Sequence, residues 1–194
     1  MYVTSHDRSE AIVSATRQEL ESLAKRGVVA QGNAFSSIVL VKGELNADER
    51  AGGSLLAGAD GTALRAALER LGYAPEDFCG LAAVAGEAEP GFAAAPQFEL
   101  LPAEVFREAV EALDPEAVVL LDDVAAHAMR EAYADALAVI EDFNAAMLQP
   151  GLVVSVLGRR VLALDGFEAS LSDPRAKQRM WAYLKQLPPQ GAPY

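Results

Sequence analysis

A chain of 194 residues, 52% of them hydrophobic, is long enough to bury one sizeable core and too short for two ordinary domains. This excludes general disorder. The 16 Lys and Arg stand against 28 Asp and Glu, a net charge of −12 that repels phosphate backbones and argues against a dedicated DNA-binding protein. The apolar stretches are short and broken by charges, and residues 1–9 lack a signal peptide's apolar segment. The expectation is a soluble, cytoplasmic protein with no membrane partner. Cys79 is the single cysteine, which leaves no intramolecular disulfide, cysteine-built zinc site or four-cysteine iron–sulfur cluster. His6 and His127 are the only histidines, too few for a histidine-rich metal site. Neither a metal nor a cofactor is expected.

In chain order, the first predicted element is a helix over residues 9–26, with Ile12, Leu20, Leu23 and Ala24 sharing a face and Gly27 as its stop. Residues 37–41, Ser-Ile-Val-Leu-Val, read as a buried strand. A glycine-rich loop follows over residues 43–61. Leu64, Ala67, Leu68 and Leu71 then recur at helical spacing up to Gly72. A weak strand is expected at 78–84, a loop at 85–96, and a helix at 103–113 that ends at Asp114-Pro115. A second buried strand spans 117–121 and leads into one long helical stretch over 124–147. Residues 152–157 and 161–164 read as strands joined by a turn at Gly158-Arg159. Asp173 as N-cap and Pro174 at the first helical position start the last helix, which carries Met180, Trp181, Leu184 and Leu187. Pro188-Pro189 ends it, and residues 188–194 are expected to be a loose tail. Strands alternating with helices predict one α/β domain over residues 1–194, a three-layer α/β/α sandwich around a mostly parallel sheet.

Gly52, Gly53, Gly58 and Gly61 lack both the Gly-Lys-Ser/Thr ending of a phosphate cradle and the dinucleotide spacing, and read as a tightly turning loop. Acidic residues follow three predicted strands: Glu44, the pair Asp122 and Asp123, and Asp165. Ligand crevices form beyond the carboxyl ends of parallel strands, where carboxylates act as general bases or bind a hard cation. The same residues can instead cap helices and face water, and Asp123 is well placed to cap. His127 reads as an ordinary, partly buried histidine. Arg175, Lys177, Arg179 and Lys185 spread around the last helix as solvated surface.

Read as a whole, GELNADERAGGSLLAGADGTAL over residues 43–64 resembles the first motif region of the uracil-DNA glycosylase superfamily, especially its bacterial and archaeal thermophile-type enzymes. Gly43-Glu44 matches the opening, and Gly58, Gly61 and Leu64 keep the later spacing. LERLGYAPEDFCGLAAV is similar to the family's second strand, and AVVLLDDVAAHAM to its third strand and following helix. There Asp122-Asp123 stands where a Gly-Arg pair is usual. GRRVLALDGFEASLSDPRAKQRMWAYLKQL resembles the closing region, with Pro174, Lys177, Trp181 and Leu184-Lys185 matching. The resemblance covers about residues 37–187.

What it implies for chemistry is mostly loss. Such enzymes flip a uracil out, stack it on an aromatic ring, read it with an Asn and stabilise the departing anion with the His of a His-Pro-Ser triplet. Leu56 falls at the aromatic position, Ala82 at the Asn, and Gly166, Phe167 and Glu168 at the triplet. A one-residue shift puts Asp165 there. Glu44 is the polar pocket residue that remains. The resemblance therefore implies catalytic candidates Glu44 and Asp165, and binding positions Gly43, Leu56, Gly58, Gly61, Ala82, Asp122 and Gly166. The expected function is a superfamily member without glycosylase activity that binds a small molecule or a protein and has weak or absent DNA affinity. The alternative is an N-glycosidase of altered nucleobase specificity that uses Glu44 with Asp165 or Asp122.

Overall fold

The computed structural model describes residues 5–74 and 76–190. His6 falls within the first helix, while the end of the expected tail, residues 191–194, lies outside the described residues.

The chain folds as an α/β protein with a six-stranded mixed sheet of order β1-β3-β2-β4-β6-β5. Its strands are β1 (Ala30–Gly32), β2 (Ile38–Lys42), β3 (Cys79–Ala82), β4 (Ala117–Leu120), β5 (Val153–Val156) and β6 (Arg159–Ala163). The four middle strands, β3, β2, β4 and β6, run parallel. Both edge strands are antiparallel to their neighbours.

Side chains alternate across a strand, so β2 feeds two cores. Val39 and Val41 join one cluster with Leu23 of α1 (Ser5–Lys25), Phe106 and Val110 of α4 (Ala103–Leu113), and Met129 of α5 (Asp123–Ala132). Ile38 and Leu40 join the other, with Leu64 and Leu68 of α3 (Ala59–Leu71) and Met180 and Leu184 of α9 (Pro174–Leu184). Ile12, expected on the apolar face of the first helix, is 65% exposed.

Several boundaries differ from the sequence reading. The loop at 43–61 contains a helical turn, α2 (Ala47–Arg50). It is closed by a capping box in which the Asn46 side chain accepts from the Glu49 N–H and the Glu49 carboxylate accepts from the Asn46 N–H. α3 starts three residues early, so Gly61 lies in its first turn; an added Cβ there would sit 1.6 Å from the Leu56 carbonyl oxygen. The expected helix at 124–147 is three pieces: α5, α6 (Ala134–Leu137) and α7 (Phe143–Ala146). The break falls where Tyr133, fully buried, leaves helical geometry at φ −118 and ψ 27, and Asp142 then caps a new turn by accepting from the Ala145 N–H. The β5–β6 turn is Leu157-Gly158, not Gly158-Arg159. Both turn residues have positive φ, the signature of a two-residue hairpin whose twist matches its strands. A further helical turn, α8 (Phe167–Ser170), precedes α9, and Asp173 caps α9 as expected. At the chain's end, the Pro188 carbonyl accepts a hydrogen bond from Arg160. Among the described residues no helix is long and apolar enough to cross a membrane.

Candidate functional site

Taken in chain order, the four parallel strands lie second, first, third, fourth across the sheet, so the connections reverse direction between β2 and β4. A crevice at such a reversal, beyond the carboxyl ends of the strands, is where ligands of open α/β sheets bind. Gly43 and Glu44 leave β2 there, and Asp122 leaves β4.

Asp122 closes this crevice. Its Oδ2 accepts from the Gly43 and Glu44 N–H groups at 2.9 and 3.0 Å, and its Oδ1 accepts from Ala125 N–H at 2.8 Å. One buried carboxylate thus caps α5 and ties the two strand ends together. Asp123, the expected cap, is instead the first helical residue; it is exposed and lies 3.6 Å from Arg130. Gly43 has no room for a side chain, since an added Cβ would meet Val124 at 2.5 Å.

The strongest electrostatic feature was missed by the sequence reading. β2 ends on Lys42, whose side chain follows Ile38 and Leu40 onto the sheet face covered by α3 and α9. Its ammonium, 3% exposed, meets Asp60 of α3 at 2.6 Å, Glu49 of α2 at 2.8 Å and Glu168 of α8 at 2.8 Å. Its N–H donors reach Asp60 and Glu168 as hydrogen bonds, and Glu49 completes the ring of carboxylates as an ion pair. Burial alone would lower the Lys42 pKa, but the hydrogen bonds to Asp60, Glu168 and Glu49 overcome it and hold the group above its ordinary value. The acids are bonded further: Glu49 accepts from Asn46 and Leu56 N–H, and Asp60 from Gly61 N–H. A protonated amine enclosed by three carboxylates is neither a nucleophile nor a base. The available signal was a lysine closing an otherwise apolar strand, which demands buried counter-charges.

The remaining expected residues scatter around this cluster. Glu44 is exposed at the rim of a cavity of about 30 Å³ that it shares with Lys42, Asp60, Asp122, Gly166 and Glu168. That is room for a water molecule or two. Asp165 is exposed, faces Arg179 at 3.4 Å and does not line the cavity that Glu44 borders. Gly166 precedes α8 in a left-handed conformation. Leu56 is fully buried, with its N–H held by Glu49, and Ala82 is 1% exposed. Gly58 is the N-cap of α3. His127, expected to be partly buried, is exposed on α5. Arg159 and Arg160 lie at the opposite ends of the strands, where Arg159 pairs with Asp114.

A second cleft of about 230 Å³ opens beyond the end of β3, lined by Gln31, Glu49, Ala82 and Phe98 among others. Phe98 is 37% exposed, with the Arg50 guanidinium 5.8 Å from its ring. Among the described residues, no group of three or more His, Cys, Asp or Glu side chains is arranged to hold a metal ion. No protein-family model matches the chain, and no curated protein sequence matches it.

Proposed function

We propose that this chain is a divergent, cytoplasmic member of the uracil-DNA glycosylase superfamily, a three-layer α/β/α sandwich, that has given up base excision and serves as a binding or interaction module. The observation that carries the reading is the state of the positions its resemblance assigns to chemistry. Leu56 and Ala82, in the places of the stacking ring and the reading Asn, are buried apolar side chains. Glu168, at the triplet that would stabilise a departing anion, brings negative charge and is engaged by Lys42. The space beside Glu44 is about 30 Å³, far below the roughly 300–1,000 Å³ of ordinary ligand sites. Removing a single transition-state donor costs about 10²–10³ in rate, and here the stacking, reading and anion-stabilising groups are absent together.

The test is uracil release from single- and double-stranded oligonucleotides with protein in stoichiometric excess. The expected result is no alkali-sensitive cleavage above a protein-free blank, and DNA affinity on the order of 10⁻⁴ M or weaker at physiological salt. Cleavage that disappears in Glu44→Gln would overturn the reading in favour of an N-glycosidase built on Glu44.

A further inference from the structure

Helices α3, α8 and α9 enclose an apolar groove of about 230 Å³ on the sheet face that also carries the Lys42 cluster. Its two walls are helix stripes with one spacing. α3 presents Ala63, Ala66, Ala67 and Arg70, and α9 presents Lys177, Met180, Trp181 and Leu184. Each stripe runs i, i+3, i+4, i+7, two helical turns or roughly 10 Å. The three alanines keep the α3 wall low, and Phe167 and Leu171 of α8 are also part of the lining.

The charge of the groove is opposite to that of the molecule. The chain carries 28 acids against 16 Lys and Arg, yet the groove lining includes two cations and no acid. Several other arginines are engaged by acids: Arg65 pairs with Glu76, Arg107 with Glu111 and Asp135, and Arg159 with Asp114. Arg70 and Lys177 are exposed, and neither has an ion pair or side-chain hydrogen bond among the described residues.

We propose that this groove docks an acidic amphipathic helix of a partner protein, with its apolar face laid between α3 and α9 and its Asp or Glu residues meeting Arg70 and Lys177. A helix suits two walls of helical spacing, because its own i, i+3, i+4, i+7 residues can interdigitate with such stripes. A second copy docked groove to groove is a poor occupant, since it would set Arg70 and Lys177 against the same two cations.

Trp181 is the only tryptophan and lines the groove, so its emission reports occupancy directly. The probe is a synthetic helical peptide with Leu at i, i+3, i+4, i+7 flanked by Glu, compared with the same peptide carrying Lys for Glu. The Glu peptide is expected to shift Trp181 emission saturably, with affinity that falls as salt rises and drops at least about tenfold in Arg70→Glu/Lys177→Glu. Both substituted residues are exposed, and an unchanged circular dichroism spectrum and urea midpoint confirm the variant's fold. No response to the Glu peptide, an equal response to the Lys peptide, or an unchanged affinity in the variant overturns the proposal. So does saturation by decanoate that excludes the peptide, which marks a small-carboxylate site. Concentration-dependent dimerisation abolished by the charge reversal overturns it in favour of a second copy.

Discussion

Replacing Lys42 with Met keeps most of the side chain's volume and removes the one positive charge that three carboxylates share. Glu168 is 45% exposed and turns to water at little cost. Glu49 and Asp60 cannot, being 3% and 1% exposed. Glu49 keeps its bonds from Asn46 and Leu56 N–H, whereas Asp60 keeps only the one from Gly61. Orphaning a buried charge costs about 3–5 kcal/mol, and the surviving backbone donors place Lys42→Met towards about 3 kcal/mol. Urea unfolding followed by Trp181 emission at about pH 7 measures it, with an unchanged m value guarding the two-state comparison. An internal control follows from the geometry. Adding Asp60→Asn to Lys42→Met removes the least compensated charge, so the double variant is more stable than Lys42→Met alone. A loss below about 1 kcal/mol, or a double variant no more stable than Lys42→Met, would refute the view that this charge is buried and mutually compensated.

Asp122→Ala leaves the N–H groups of Gly43, Glu44 and Ala125 without their acceptor, an expected loss of about 2–3 kcal/mol in urea unfolding; a loss under about 0.5 kcal/mol contradicts the bridging role. Gly61→Ala drives a methyl into the Leu56 carbonyl and is expected to cost about 3 kcal/mol, whereas Ala59→Gly in the same turn costs about 1 kcal/mol or less. Cys79 is 1% exposed and burial pushes its thiol up to about 11, so it resists a thiol reagent at about pH 8 until the chain is unfolded; rapid native labelling would place it at the surface. The folded state holds that proton more tightly than the unfolded chain, so stability falls as pH rises from 9.0 towards about 11, and Cys79→Ala flattens this limb of the profile.

Elements that announce themselves in the sequence are those whose local pattern and tertiary role coincide. The runs at β2 and β4 are apolar because both faces of each strand are covered. α4 has its predicted bounds, and α9 carries its cap and N1 proline. α2, α7 and α8 are four-residue turns held by caps and neighbours, too short for hydrophobic periodicity to register. β1 is Ala-Gln-Gly, a strand only because β3 offers it a partner. The run at 124–147 reads as one helix because nothing local stops it, yet it breaks at Tyr133, a buried residue outside helical geometry. At the strand ends, the acids were legible by position, and the structure brings Asp122 and Glu44 to one crevice while Asp165 turns to Arg179. The Lys42 cluster was not legible, since Lys42 and Glu168 are 126 positions apart and Glu49 and Asp60 lie in a segment read as loop.

A cation that belongs to the chain cannot be exchanged. Chelators and dialysis leave Lys42 in place, and its three carboxylates are answered at every moment after folding. The same permanence restrains descent. Loss of Lys42 alone strands Asp60 and Glu49, and loss of Asp60 alone removes the shortest of the three contacts that hold the buried ammonium. Positions 42, 49 and 60 therefore have to change as a group, and a lineage that acquires this arrangement is held to it at the very strand ends where a sheet of this kind would otherwise be free to build a new active site.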